Sequence, residues 1–223
     1  MLPQFGEERQ QKLASAKILL VGVGGLGSPI ALYLAGAGVG RIGLIDADVV
    51  SETNLQRQVL YKEDEIGQPK VDCAKKRLLE LNSTIQFDCY ACRFDKENAE
   101  KIASQYDLII DGCDNFSTRY LMDDTSFKLN IPYIYGSIGE FHGHVSVFNY
   151  NNGCRYRDLY PECDSVFVDR QITKGVLGPV PGMIGTLQAI EAIKVITGIG
   201  KSLRNRLLTV DMLTMEILVL DIL

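Results

Sequence analysis

The sequence predicts an α/β fold: a Rossmann-like, doubly wound and mostly parallel sheet with antiparallel strands at its C-terminal end. Three observations support this. An apolar run at 17–21 leads directly into Gly22-Val23-Gly24-Gly25-Leu26-Gly27 and a helical pattern. Strand-like and helix-like segments then alternate as far as residue 137, after which the hydrophobic period drops to two.

Residues 28–37 read as the first helix and 41–46 as the second strand. Pro69 suits the first turn of the next helix, whose apolar Val71, Ala74, Leu78 and Leu79 recur at helical spacing before Asn82 ends it. A third strand at 85–89, a helix at 96–105 and a fourth strand at 106–110 follow; the fourth is almost wholly apolar, as a strand covered on both faces should be. Asp111-Gly112-Cys113-Asp114-Asn115 stands at its carboxyl end, the edge at which open α/β sheets bind ligands. Residues 116–129 read as a helix and 132–137 as a strand. The alternation at 144–149 points to an antiparallel strand, 151–181 reads as irregular, 182–197 as a helix, and 207–211 with 216–220 as a closing hairpin. Residues 1–223 are read as one domain, because nothing in them resembles a linker between two cores.

Composition narrows the function. A hydrophobic fraction of 46% with 23% charged residues is that of a folded chain. The net charge of -5 argues against a surface built for nucleic acid or anionic lipid, so basic residues matter only locally. No apolar run approaches the ~20 residues of a membrane-spanning helix, and the start reads as neither signal nor transit peptide. A cytoplasmic location is expected, with the six cysteines reduced.

The glycine loop, with Gly22, Gly24, Gly25 and Gly27, lets a backbone approach a nucleotide's phosphates at a helix start. Asp46 at the end of the second strand has near the spacing of a ribose-binding carboxylate. That pair alone would suit NAD. Asp48, Asn54, Arg57 and Gln58 on the following loop, Lys70 at the next helix start, and Asp114 with Asn115 after the fourth strand point elsewhere. Two cations can cover a triphosphate, and a carboxylate can hold Mg²⁺.

These stretches resemble the ThiF/MoeB/HesA family of adenylyltransferases, relatives of the ubiquitin-activating enzymes. The resemblance runs through Phe5-Gly6-Glu7-Glu8, Val21 to Gly27, Ala37-Gly38-Val39-Gly40, Asp46-Ala47-Asp48, Asn54-Leu55-Gln56-Arg57-Gln58, Ile66-Gly67-Gln68-Pro69-Lys70, Asp111 to Asn115 and Gly185-Thr186-Leu187-Gln188-Ala189-Ile190-Glu191-Ala192-Ile193-Lys194. It implies that ATP and Mg²⁺ are bound and that the carboxyl terminus of a small ubiquitin-like sulfur-carrier protein ending in Gly-Gly attacks the α-phosphate, in thiamine or molybdopterin biosynthesis. It also implies a homodimer. Carried over by position, Asp46 holds the ribose, Asn54, Arg57 and Lys70 the phosphates, and Asp114 the metal. Arg57, Lys70 and Asp114 are therefore the expected catalytic residues. Another carboxylate substrate and a non-catalytic carrier-binding scaffold are the alternatives.

The pattern is incomplete in three places. Many relatives hold a structural zinc between two Cys-x-x-Cys pairs, but the first reads Arg155-Tyr156-Arg157-Asp158 here and no cysteine follows Cys163, so no zinc site is expected. Cys89-x-x-Cys92 and the His142/His144 pair read as structural. Gln171 stands where some relatives carry a reactive loop cysteine, with Cys163 the nearest substitute. An arginine that the family supplies ahead of the Leu-Pro-x-Phe-Gly segment has no counterpart in this sequence.

Overall fold

The computed structural model describes residues 5–161 and 175–222. Cys163 and Gln171 lie outside the described residues. Eight strands form one sheet: β1 (Lys17–Val21), β2 (Arg41–Ile45), β3 (Gln86–Tyr90), β4 (Leu108–Asp111), β5 (Tyr133–Ile138), β6 (His142–Phe148), β7 (Arg206–Asp211) and β8 (Glu216–Asp221), in the order β3-β2-β1-β4-β5-β6-β7-β8. The pairs from β3 to β5 are parallel and those from β5 to β8 antiparallel. This is the expected doubly wound sheet with its antiparallel extension.

The helices are α1 (Gly6–Ser15), α2 (Gly27–Ala37), α3 (Lys70–Leu81), α4 (Ala99–Ala103), α5 (Phe116–Leu129), α6 (Tyr156–Leu159) and α7 (Pro179–Thr197). Period-two alternation in the strands sends side chains to two separate cores. On one face Ile18, Leu20, Ile42, Leu44, Ile110 and Val145 pack with Leu34 of α2, Val71 of α3 and Ile184 of α7. On the other, Leu19, Val21, Ile109, Tyr133, Tyr135 and Phe148 pack with Ile102 of α4, Met122 of α5 and Tyr156 of α6.

Local chemistry sets the ends. Gly38 takes the left-handed conformation (φ 83°) that closes α2, and Asn115 opens α5 by accepting the Thr118 N–H at 2.9 Å. Pro69 sits just ahead of α3 with ψ 130°, so the helix begins at Lys70. Three boundaries differ from the sequence expectation. α4 is only five residues, because the turn before it is organised by Asp95 and Asn98 side chains rather than by helical bonds. α7 starts at Pro179, ahead of the expected 182, and α6 interrupts the stretch expected to be irregular. α1 was not expected from the pattern: it buries Leu13 alone.

Candidate active site

Strands β1 and β4 are neighbours, and the chain winds away from them in opposite directions. Such a switch point opens a crevice at the carboxyl ends of the strands. Here its floor is backbone. Gly22 has φ 92°, and a Cβ on it would lie 2.6 Å from the Gly112 carbonyl oxygen; a Cβ on Gly112 or Gly27 would collide with the Gly22 oxygen. Only glycine lets these three segments meet.

Around that floor the side chains are held firmly. Asp46 accepts the Val23 N–H at 2.8 Å on one oxygen and the Asp48 N–H at 2.9 Å on the other. The buried Tyr61 hydroxyl donates to the Val23 carbonyl at 2.7 Å, so the glycine loop is gripped on both sides of Val23. Burial, and secondarily the charge of Asp46, pushes the Tyr61 pKa upward, which keeps it a donor. Lys70 is buried to 4% exposure; its Nζ lies 2.8 Å from the exposed Asp48 carboxylate, and its N–H bonds the Asp48 carbonyl.

Residues 54–58 wrap a short turn against the glycine loop. The Asn54 carbonyl accepts the Arg57 and Gln58 N–H groups, and Arg57 Nη1 donates to the Thr53 carbonyl at 2.9 Å. Gln58 is buried beside Gly24, and its Oε1 has no hydrogen-bond partner among the described residues. Gln56 reaches across to the Val176 carbonyl at 3.2 Å, just ahead of α7.

At the end of β4, Asp111 is fully buried and engaged: Oδ1 accepts the Cys113 N–H, while Oδ2 accepts from Arg119 and from the Tyr133 hydroxyl, both at 3.1 Å. Asp114 is exposed, and no protein group among the described residues bonds its carboxylate. Asn115 spends its side-chain oxygen on capping α5. Among the residues singled out in the sequence, Gln58 meets Gly24, Arg57 meets Gly25, Asp46 accepts the Val23 N–H, Asp48 pairs with Lys70, and the Gly22–Gly112 contact joins this cluster to the end of β4. Tyr61, Asp111, Arg119 and Gln188, whose amide donates to the Asp111 carbonyl at 2.7 Å, also belong to it. Gln188 lay in a stretch that carried the resemblance, but no role could be attached to it until its neighbours were known.

Other candidates fall outside the crevice. Cys89 donates to the Val71 carbonyl, and burial pushes its thiol pKa up. The His142 and His144 rings stand 6.0 Å apart on β6, and His144 Nδ1 lies 3.3 Å from the Ser137 hydroxyl. Arg155 and Arg157, where relatives carry zinc ligands or their neighbours, are paired with Asp123 and Asp124 of α5.

A family model described as the ThiF family matches residues 1–222. The chain belongs to the ThiF family. Within it, the chain is 46% identical to the probable molybdopterin-synthase adenylyltransferase of Porphyra purpurea over 97% of its own length, and 44% identical to the adenylyltransferase and sulfurtransferase MOCS3-1 of Zea mays over 100%. It spans 57% and 48% of those two proteins. The sulfur carrier protein adenylyltransferase of Thermus thermophilus is 43% identical, with 81% of its length covered. Among solved structures, E. coli MccB with ATP superposes with a TM-score of 0.87 at 25% identity, over 96% of this chain and 66% of that one. The ThiF assignment and the sheet order agree.

Proposed function

We propose that this chain is an ATP- and Mg²⁺-dependent adenylyltransferase that activates the C-terminal carboxylate of a small ubiquitin-like sulfur-carrier protein ending in Gly-Gly, in molybdopterin or thiamine biosynthesis. The observation that carries this reading is a glycine floor at the switch point with Arg57 packed on Gly25, a buried Lys70 paired with Asp48, and an exposed Asp114 that no group among the described residues bonds. An NAD site needs only the floor and Asp46; cations aimed at phosphates are needed when a phosphoryl group reacts.

Each residue then has a defined task. The start of α2 and the glycine loop place the phosphates. Asp46, its orientation fixed by two backbone N–H groups, accepts from the ribose. The free Gln58 Oε1 is suited to a donor on the ligand, which fits a site that is incomplete without one. Asn54, Arg57 and Lys70 screen the triphosphate so that an anionic carboxylate can approach. No general base is required, because a carboxylate is already ionised near neutral pH. The hard oxygen donors of Asp114 suit Mg²⁺, so Asp114 would hold that ion, which would supply neutralisation of phosphate charge.

The names of the relatives support the carrier as substrate, since identity to the adenylyltransferases of carrier pathways is 43–46% whereas identity to MccB is 25%. A second copy is proposed to complete a homodimer. The test is ATP–pyrophosphate exchange with a purified carrier. A Gly-Gly-ended carrier should stimulate it and the same carrier lacking that dipeptide should not; equal rates with both would overturn the proposal.

A further inference from the structure

We infer that Arg119, buried and bonded to the Cys113 carbonyl, is the positioning residue that sets the direction of the Asp114 carboxylate. The Cys113 residue is gripped at both of its peptide groups by one buried ion pair. Its N–H donates to Asp111 Oδ1 at 3.0 Å, and its carbonyl accepts from Arg119 Nη2 at 3.2 Å. That carbonyl belongs to the peptide plane leading into Asp114, so holding it holds the N–Cα bond of Asp114, while the Asn115 cap on the Thr118 N–H anchors the following residue and limits rotation about that bond.

The pair is poorly explained as a source of stability. Arg119 and Asp111 expose 4% and 0% of their side chains, and a buried ion pair seldom outperforms apolar packing of the same volume. Burial opposes the guanidinium charge, but the Asp111 carboxylate more than offsets it and raises the Arg119 pKa above its ordinary value, so the cation is permanent. Nε donates to Asp111 and Nη2 to the Cys113 carbonyl and, at 3.4 Å, to the Gly136 carbonyl, and the Phe116 and Tyr135 rings flank it at 5.9 and 5.7 Å. It touches three segments: the β4 loop, the end of β5 and the first turns of α5. The neutralisation also decides which acid is available. Asp111 has both oxygens occupied and is closed to a metal, while Asp114, three residues on, is open.

This rests on the adenylyltransferase reading for the identity of the ligand, and the experiment separates the two. ATP binding would be measured by calorimetry across a Mg²⁺ titration for the wild-type chain, Arg119→Lys, Tyr133→Phe, Asp114→Ala and the Arg119→Lys/Asp114→Ala double variant, with thermal melts alongside. Lysine keeps the charge beside Asp111 but cannot also hold the Cys113 carbonyl. Arg119→Lys should raise the Mg²⁺ concentration for half-maximal effect about tenfold, as loss of an orienting partner does, while ATP binding without metal is unchanged. In the Asp114→Ala background the same substitution should add nothing. Tyr133→Phe removes another donor to Asp111 without touching Cys113; it should lower the melting temperature and leave the Mg²⁺ dependence alone. A Mg²⁺ dependence identical in Arg119→Lys and wild type, or one shifted equally by Tyr133→Phe, would overturn the positioning role. A wild-type chain that binds no ATP would overturn the adenylyltransferase reading and this inference with it.

Discussion

Two strand ends in this molecule carry the same pattern with opposite wiring. At the end of β2, Asp46 lends both oxygens to backbone N–H groups and Asp48, two residues later, is exposed and paired with the cation Lys70. At the end of β4, Asp111 likewise accepts a backbone N–H, but the cation Arg119 pairs with this first acid and leaves the later one, Asp114, unpaired. The difference lies only in which carboxylate its neighbour neutralises. On the β2 side the result is a buried lysine paired with an exposed carboxylate; on the β4 side it is an exposed carboxylate that no group among the described residues bonds.

Substitutions at three of these acids should separate these roles. The largest effect is expected at Asp111→Asn, which leaves the buried Arg119 charge without its partner and should cost about 3–5 kcal/mol of stability in urea unfolding; a loss below 1 kcal/mol would mean the pair is not the strut described. Asp114→Ala should leave the unfolding curve in place but lower carrier-dependent pyrophosphate exchange by about 10²–10³, and exchange at the wild-type rate would remove it from the site. Asp48→Asn should act weakly and in the other direction. Its carboxylate is 71% exposed, so freeing Lys70 should tighten ATP binding by less than about fivefold, and weaker binding would show that Asp48 itself meets the nucleotide.

The smallest effect concerns pH beside the β4 pair. Burial, then the charges of His142 and Arg119, lower the His144 pKa below 6.5. The folded chain therefore binds fewer protons there than the unfolded one, and the stability contributed by neutral His144 is present above pH 6.5 and lost as pH falls through its lowered value. His144→Gln should flatten the fall in stability between about pH 6.5 and 5; an unchanged slope would assign it to other groups.

The β2 side was the more legible of the two in the sequence. Asp46 follows an apolar strand at the spacing a ribose carboxylate needs, and Lys70 follows a glycine-proline turn at a helix start, so local pattern alone marked both. On the β4 side, Asp111 and Asp114 are equally acidic in sequence. Only the fold brings Arg119, one helical turn into α5, and Tyr133, from the next strand, against one of them. Tyr61 was silent for the same reason: its hydroxyl acts on Val23, 38 residues away. α1 escaped because a helix that buries one leucine has no apolar stripe to detect. The alternating parallel core and the antiparallel hairpin, in contrast, follow directly from hydrophobic period, and both are observed.

The contact between Gly22 and Gly112 has a genetic consequence. Where two side chains touch, enlarging one can be compensated by trimming the other. Here each residue is already the smallest available, and what it meets is main chain. Gly22→Ala therefore has no second-site suppressor at position 112, and a selection for restored function should return codon 22 to glycine. The crevice floor is a locked pair, open to inheritance but closed to compensation.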